Sequence, residues 1–372
     1  MAATTTRALL DLGEALGPTL SADTSRRLRD DPTALAEIVA LAARHQLRGN
    51  LWLALCRHGL CAPLPDQLRR HLPPGHPATV LEDGWTHESR HGAELLVRSR
   101  AMIAALNAAG IEPMLLKGMA LVMGGILPEP GQRWMVDIDL LVHPEQLAAA
   151  IAVMESLGYR PRPGSTAPHH APAMAGEVEI HFDMVVPALQ AALPTDRAWR
   201  IATAVAADGL RYWLPSPEDA IVHVALHGQH SNHVQPLARL PLRPLSDLAH
   251  LRRRHDRHLD WPALRRRAAA AGHRFAFDTH LYQCCRVFRQ DWPLTTPPPW
   301  PVRLHWRLCL LAAAHPHTLG RLLFARLEIA SAFAPAAGRP ALARLSAHAA
   351  LALRLLGKYK WRIGHRLMGR RR

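Results

Sequence analysis

Residues 134–142 read WMVDIDLLV. From Val136 to Leu140 apolar and acidic residues alternate, and from Leu140 to Val142 the run is wholly apolar. That pattern predicts a strand with one buried face and one working face. Alternate side chains of a strand share a face, so Asp137 and Asp139 point the same way. Two carboxylates that close repel unless a cation lies between them. A hard cation such as Mg²⁺ prefers oxygen ligands and often takes only one or two protein carboxylates, with phosphate oxygens completing its shell. Two ions held so can activate an attacking oxygen and stabilise a leaving pyrophosphate. The DxD pattern alone is weak, because most such pairs are surface acids on strands or turns.

The neighbouring sequence adds the parts that DxD lacks. Glu177–Met184 (EVEIHFDM) alternates like a second strand, with Glu177, Glu179, His181 and Asp183 on one face. Glu179, between Val178 and Ile180, is the best candidate for a third carboxylate. Upstream, Glu112–Leu116 (EPMLL) is a short apolar strand that leads into Lys117-Gly118, with Gly124-Gly125 soon after. Glycine lets backbone N–H groups approach a phosphate, and helix N-termini favour anions. Lys117 can give a triphosphate a compact charge. Arg133, four residues before Asp137, can offer the same phosphates a planar fork. The composition singles out Lys117: of 45 Lys and Arg, only Lys117, Lys358 and Lys360 are lysine. A chain that places Arg at ordinary cation sites keeps Lys where the size of the ammonium matters.

Around this block the chain reads as helical. Ala34–Leu55 carries apolar residues at helical spacing; Pro63, Pro65, Pro73, Pro74 and Pro77 interrupt it; Glu88–Ala109 resumes and stops at Gly110. Pro144–Leu157 is an amphipathic helix stopped by Gly158, and Tyr159–Pro168 is a Pro/Gly-rich loop. Helices return from Ser216, whose SPED start combines a cap, a first-turn Pro and acids, and again from Asp260. Thr295–Pro301 (TTPPPWP) reads as a linker. The expected division is an N-terminal helical region (1–97), a strand-containing core (98–190), a helical acceptor-side domain (191–294) and a helical C-terminal region with a basic tail (295–372).

The segments LLKGMALV, RWMVDIDLLVHPEQL, LGYRP and VEIHFDM together resemble the uncharacterised nucleotidyltransferase family of bacteria, a branch of the polymerase-beta-like nucleotidyltransferases. The likeness continues through LPSPEDAIVHVALHG and PLSDLAHLRRRHDRHLDWPALRRRAAAAG and runs from about Arg98 to Gly272. It implies an α+β fold: a polymerase-beta-like nucleotidyltransferase core with a small mixed sheet, embedded in a largely helical chain. It implies Asp137, Asp139 and Glu179 as catalytic, metal-binding carboxylates. It implies Lys117, Gly118, Arg133 and His181 as the residues around the nucleotide, with Lys117-Gly118 where the superfamily usually has a Gly-Ser or Gly-Gly turn. The expected activity is Mg²⁺- or Mn²⁺-dependent transfer of an NMP from an NTP to an unknown acceptor, a small molecule, sugar, peptide or protein. The alternative from another class is a catalytically silent nucleotide-binding or scaffold protein that docks through its basic tail.

Composition bounds the rest. With 372 residues, 49% of them hydrophobic and 20% charged, the chain can bury a sizeable core in two or three domains. Ten of the Lys and Arg lie in 339–372, which has no acid, so the remainder carries only +5 of the +15. The basic balance therefore reports a C-terminal tail, read first as a solvated, frayed terminus and alternatively as a segment that meets nucleic acid, a membrane or an acidic partner, and not a nucleic-acid-binding body. Cys56, Cys61, Cys284, Cys285 and Cys309 form no CxxC and no framework, which suits free thiols in a cytoplasmic protein. His227, His230 and His233 (HGQHSNH) are spaced three apart, but His is abundant and a zinc site needs convergent ligands. Asp247 reads as a helix-packing acid paired with an Arg.

Overall fold

The computed structural model describes residues 2–61, 75–161, 169–171 and 177–333. The basic tail and most of the expected loop 159–168 lie outside them. The chain opens with helices α1 (Ala2–Leu16), α2 (Ala22–Asp30), α3 (Pro32–Arg44), α4 (Arg48–Arg57) and the long α5 (Pro77–Ala108). The expected Ala34–Leu55 helix is thus two helices. The break falls at His45–Leu47, where Gln46 takes a left-handed backbone at φ 58°, and apolar spacing alone does not reveal it. Pro77 does not interrupt the next helix but begins it, in a first-turn position that needs no N–H.

The strands follow: β1 (Met114–Leu115), then α6 (Lys117–Met123), β2 (Asp137–Leu141), α7 (Leu147–Ser156), β3 (Arg160–Pro161), β4 (His169–Ala171) and β5 (Glu177–His181). Next come α8 (Thr195–Ile201), β6 (Thr203–Ala207) and β7 (Leu210–Leu214). All seven strands form one mixed sheet in the order β3-β4-β5-β2-β1-β7-β6. β2 pairs parallel with β5 and antiparallel with β1, and β1 pairs parallel with β7. The fold is α+β, as expected. The β6–β7 hairpin was not expected, and through it the sheet crosses the boundary placed at 190. Its turn, Asp208-Gly209, has φ of 52° and 75°, the two left-handed residues of a tight hairpin turn, for which Asp-Gly is a favoured pair.

Ile138, Leu140, Val178 and Ile180 are almost wholly buried, while α5 packs on β7 and α7 on β5. The remaining helices are α9 (Pro217–His230), α10 (Leu242–His255), α11 (Trp261–Ala270), α12 (Arg274–Phe288), α13 (Trp300–Ala314) and α14 (Leu319–Phe333). Ser216 and Asp260 cap α9 and α11 as expected, accepting from the Asp219 and Ala263 N–H groups. Buried Asp219 receives Arg197 and Arg267, which ties α8 and α11 to α9. α1 packs against α3 and α4 and also against α12 and α13, so the two ends of the described chain share one helical layer. The five cysteines are free.

Candidate active site

The site starts from the register of two strands. Asp139 lies opposite Glu179 and Leu141 opposite His181 in the β2–β5 ladder, so Asp139, Glu179 and His181 stand on one face. Their ligand atoms all lie within 4.8 Å of one another, the one such group among the described residues. His181 Nε2 is 2.9 Å from Asp139 Oδ1 and 3.3 Å from Glu179 Oε2. Lys117 Nζ donates to Asp139 Oδ1 at 2.5 Å and lies 3.8 Å from Glu179 Oε2.

Lys117 begins α6 with a left-handed backbone, φ 49°. A residue with a Cβ pays for that conformation in strain, and such residues cluster at functional sites. It is also the conformation that glycine adopts freely. Gly118, next along, is fixed by packing: a Cβ there would sit 2.6 Å from Met135 Sδ.

Charge and burial set the protonation. Asp139 is only 2% exposed. Burial pushes its carboxyl up, but the His181 hydrogen bond and the Lys117 ammonium outweigh burial and hold it well below the usual range. Burial and the Asp139 charge push Asp137 up, against Lys117. Burial lowers His181, yet its bonds to Asp139 and Glu179 raise it to about 9. Burial also works against Lys117, and Asp139, Glu179 and Asp137 more than restore its charge.

The seven expected residues divide into two sets. Asp139, Glu179, His181 and Lys117 meet directly. Asp137, Gly118 and Arg133 line the adjoining cavity of about 350 Å³ with Lys117 and Asp139. Asp137 is not part of the convergent group; His181 takes that place. Arg133 is committed on one side, its Nε lying 2.9 and 3.1 Å from the Asp247 carboxylate oxygens, so Asp247 does pair with an Arg. Asp183 leaves the site, since β5 ends at His181 and Asp183 accepts from Thr195 Oγ1 at 3.2 Å.

Residues beyond the expected set complete the cavity. The break after α3 brings in Arg44, and α10 supplies Arg243. α9 lines the wall with His223 and His227, one turn apart. Burial lowers both, with His227 at about 4, so both are neutral imidazoles. His230 meets the His273 ring at 5.0 Å, and among the described residues the HGQHSNH imidazoles belong to no convergent group of three ligands. Arg44 and Arg243 left no sequence signal in a chain where Arg is the ordinary cation.

Two carboxylates and an imidazole beside a lysine, under a cation-lined cavity, can hold a divalent ion and an anionic phosphate chain. No curated protein and no solved structure is similar enough to the chain to match it. A family model does match, over residues 31–289, from the helix whose end supplies Arg44 to the close of α12, and by that match the chain belongs to the uncharacterised nucleotidyltransferase family.

Proposed function

We propose that the protein is a Mg²⁺- or Mn²⁺-dependent enzyme that moves a nucleoside monophosphate from an NTP to an acceptor and releases pyrophosphate. The convergence of Asp139, Glu179 and His181 beside Lys117 carries this reading. The donor set suits such an ion: two hard carboxylates fit Mg²⁺, and a nitrogen ligand is tolerated better by Mn²⁺. To become a ligand, His181 must first give up the proton that its carboxylate neighbours stabilise. A bound ion supplies a more acidic acceptor oxygen and neutralises charge on the leaving pyrophosphate.

The protein's own groups do the rest. Asp137, on the same strand face as Asp139, is the further carboxylate for a metal or for the acceptor's proton, and Glu179 is the other group near enough to share these roles. Lys117 and the Gly118 backbone hold the triphosphate, and Arg133, Arg243 and Arg44 give the cavity its positive wall. His223 and His227, neutral and with lone pairs available, face the space for the acceptor.

The test is pyrophosphate release from each NTP with Mg²⁺ or Mn²⁺, comparing the wild type with Asp137→Asn plus Asp139→Asn. Loss of the carboxylates removes turnover by about 10³-fold or more. Unchanged turnover sinks the site assignment, and metal-dependent nucleotide binding without turnover points to a nucleotide-responsive binding protein.

A further inference from the structure

We infer that the outer face of α13, continued by the start of α14, docks on the surface of an anionic phospholipid bilayer. α13 turns Val302, Trp306, Cys309 and Ala312 inward, where they are buried against α1 and α12. Its opposite side carries Trp300, Leu304 and Leu311, exposed by 68%, 56% and 53%. At 3.6 residues per turn these three positions fall within about 40° of one another. Beyond the bend, α14 exposes Leu322 and Phe324 on two sides of its axis, about 160° apart, flanking buried Leu323, so the continuous stripe is that of α13. Among the described residues twelve large hydrophobic side chains are exposed, and five of them sit on these two helices. Single exposed apolar residues are ordinary, but a concentration of them marks an interaction surface.

Cations share the surface. Arg303, Arg307, Arg321 and Arg326 are all exposed. From Trp292 to Arg372 the sequence has 14 Lys and Arg and a single acid, Glu328. The combination of Trp, Leu and Phe with Arg is that of a helix lying in a membrane interface, its rings and aliphatic chains at the acyl boundary and its cations among anionic headgroups.

The geometry distinguishes lying on a bilayer from crossing one. No single described helix is long and apolar enough to cross, and α13 with the start of α14 satisfies length and composition only as a pair bent by 119°. One side of α13 is already covered by protein, and the uncovered side holds Arg303 and Arg307. A spanning helix would have to take those charges through hydrocarbon.

Two other occupants fit less well. The 39 residues that follow Phe333 start at the end of α14, but they carry ten cations and no acid, so laying them on a face with four Arg brings like charges together. Nucleic acid would neutralise the Arg and leave Leu304, Leu311, Leu322 and Phe324 without an apolar partner. An anionic bilayer satisfies both kinds of group.

The test is flotation of the full-length protein with vesicles of phosphatidylcholine alone or with about one third phosphatidylglycerol. The wild type is expected to float with the anionic vesicles and not with the neutral ones. The full-length Trp300→Ser, Leu304→Ser, Leu311→Ser variant, altered only at exposed positions, is expected to float about tenfold less while keeping the wild-type melting temperature. Absence of wild-type flotation overturns the inference, as does undiminished flotation of the variant, which would leave binding to the basic tail alone. A variant with a clearly lower melting temperature also overturns it, because the face would then be covered within the protein. Retention of RNA that the three substitutions abolish, without flotation, assigns the face to nucleic acid instead. None of these outcomes depends on nucleotide turnover, so the proposed activity stands or falls separately.

Discussion

Lys117 shows how much one side chain is asked to do. Its left-handed backbone aims the ammonium at Asp139 and Glu179, where it offsets two carboxylates before any ligand arrives. An arginine at that position keeps the charge but brings a planar fork of different reach and hydration. Lys117→Arg is therefore expected to lower kcat/KM for pyrophosphate release by about 30-fold or more, with little change in the unfolding midpoint. Wild-type turnover in that variant would show that only charge matters there. This residue was legible because the chain otherwise avoids lysine. Asp137, Asp139 and Glu179 were legible because strand alternation fixes the face, and adjacent parallel strands then set Glu179 opposite Asp139. The same alternation places His181 beside Glu179, so its part in the convergent group was within reach of the sequence. Arg44, Arg243 and His223 were not, since their presence in the cavity depends on how α3, α9 and α10 pack on the sheet, which no local pattern records.

Between Gly131 and β2 the short segment Arg133-Trp134-Met135 is held from both sides. Arg133 Nη1 donates to the Trp134 carbonyl at 2.5 Å, and Arg243 Nη1 lies 3.4 Å from the same oxygen. His91 of α5 donates to the Met135 carbonyl at 2.7 Å, and its ring stacks on Trp134 at 4.2 Å. Met135 in turn closes over Gly118. The Arg133–Asp247 pair locks this segment to α10, with side chains only 10% and 7% exposed. Removing one partner of a buried pair leaves the other charge uncompensated, so Asp247→Ala is expected to cost about 3 kcal/mol in urea unfolding, and Arg133→Met with Asp247→Leu to recover most of it. Equal losses in the single and double variants would mean that the pair is not what holds the segment. At this scale the sequence was clear where an element carries its own start and stop signals, as at Ser216, Asp260 and Gly110. It was missed where the signal is brief. The Asp208-Gly209 turn joins two short strands of which β6 is largely exposed, so its residues give little periodicity. The α3–α4 break spans only His45–Leu47, with Gln46 its one left-handed residue.

Across the whole molecule, helical packing buries histidines that must stay neutral. His280 is fully buried in α12, with Nδ1 accepting from Gln229 Nε2 at 3.1 Å and Gln229 Nε2 also donating to Gln283 at 2.8 Å. Burial lowers His280 to about 3, and burial with the Arg253 and Arg57 charges lowers His250 to about 3. Both values lie below the 6.5 of the unfolded chain. Their stabilisation is therefore complete above about pH 6.5 and is lost as the pH falls from there toward 3, because the unfolded chain binds protons that the native one refuses. His181 acts oppositely: raised to about 9, it stabilises fully below 6.5 and is lost as the pH rises through 9, so it does not compensate on the acid side. By pH 5 buried His280 and partly buried His250 together cost about 4 kcal/mol, a large part of a typical domain's stability of about 5–15 kcal/mol. Urea unfolding between pH 7.5 and 5 should show that decline, and His250→Gln should reduce its slope below pH 6 by about 1.4 kcal/mol per pH unit. The same substitution leaves β2, β5 and Lys117 untouched, so metal-dependent turnover at pH 7.5 should persist while the acid limb flattens. A slope unchanged in His250→Gln would mean that the acid sensitivity of this fold arises elsewhere, with the Asp139 carboxylate, held low by His181 and Lys117, the next group to examine.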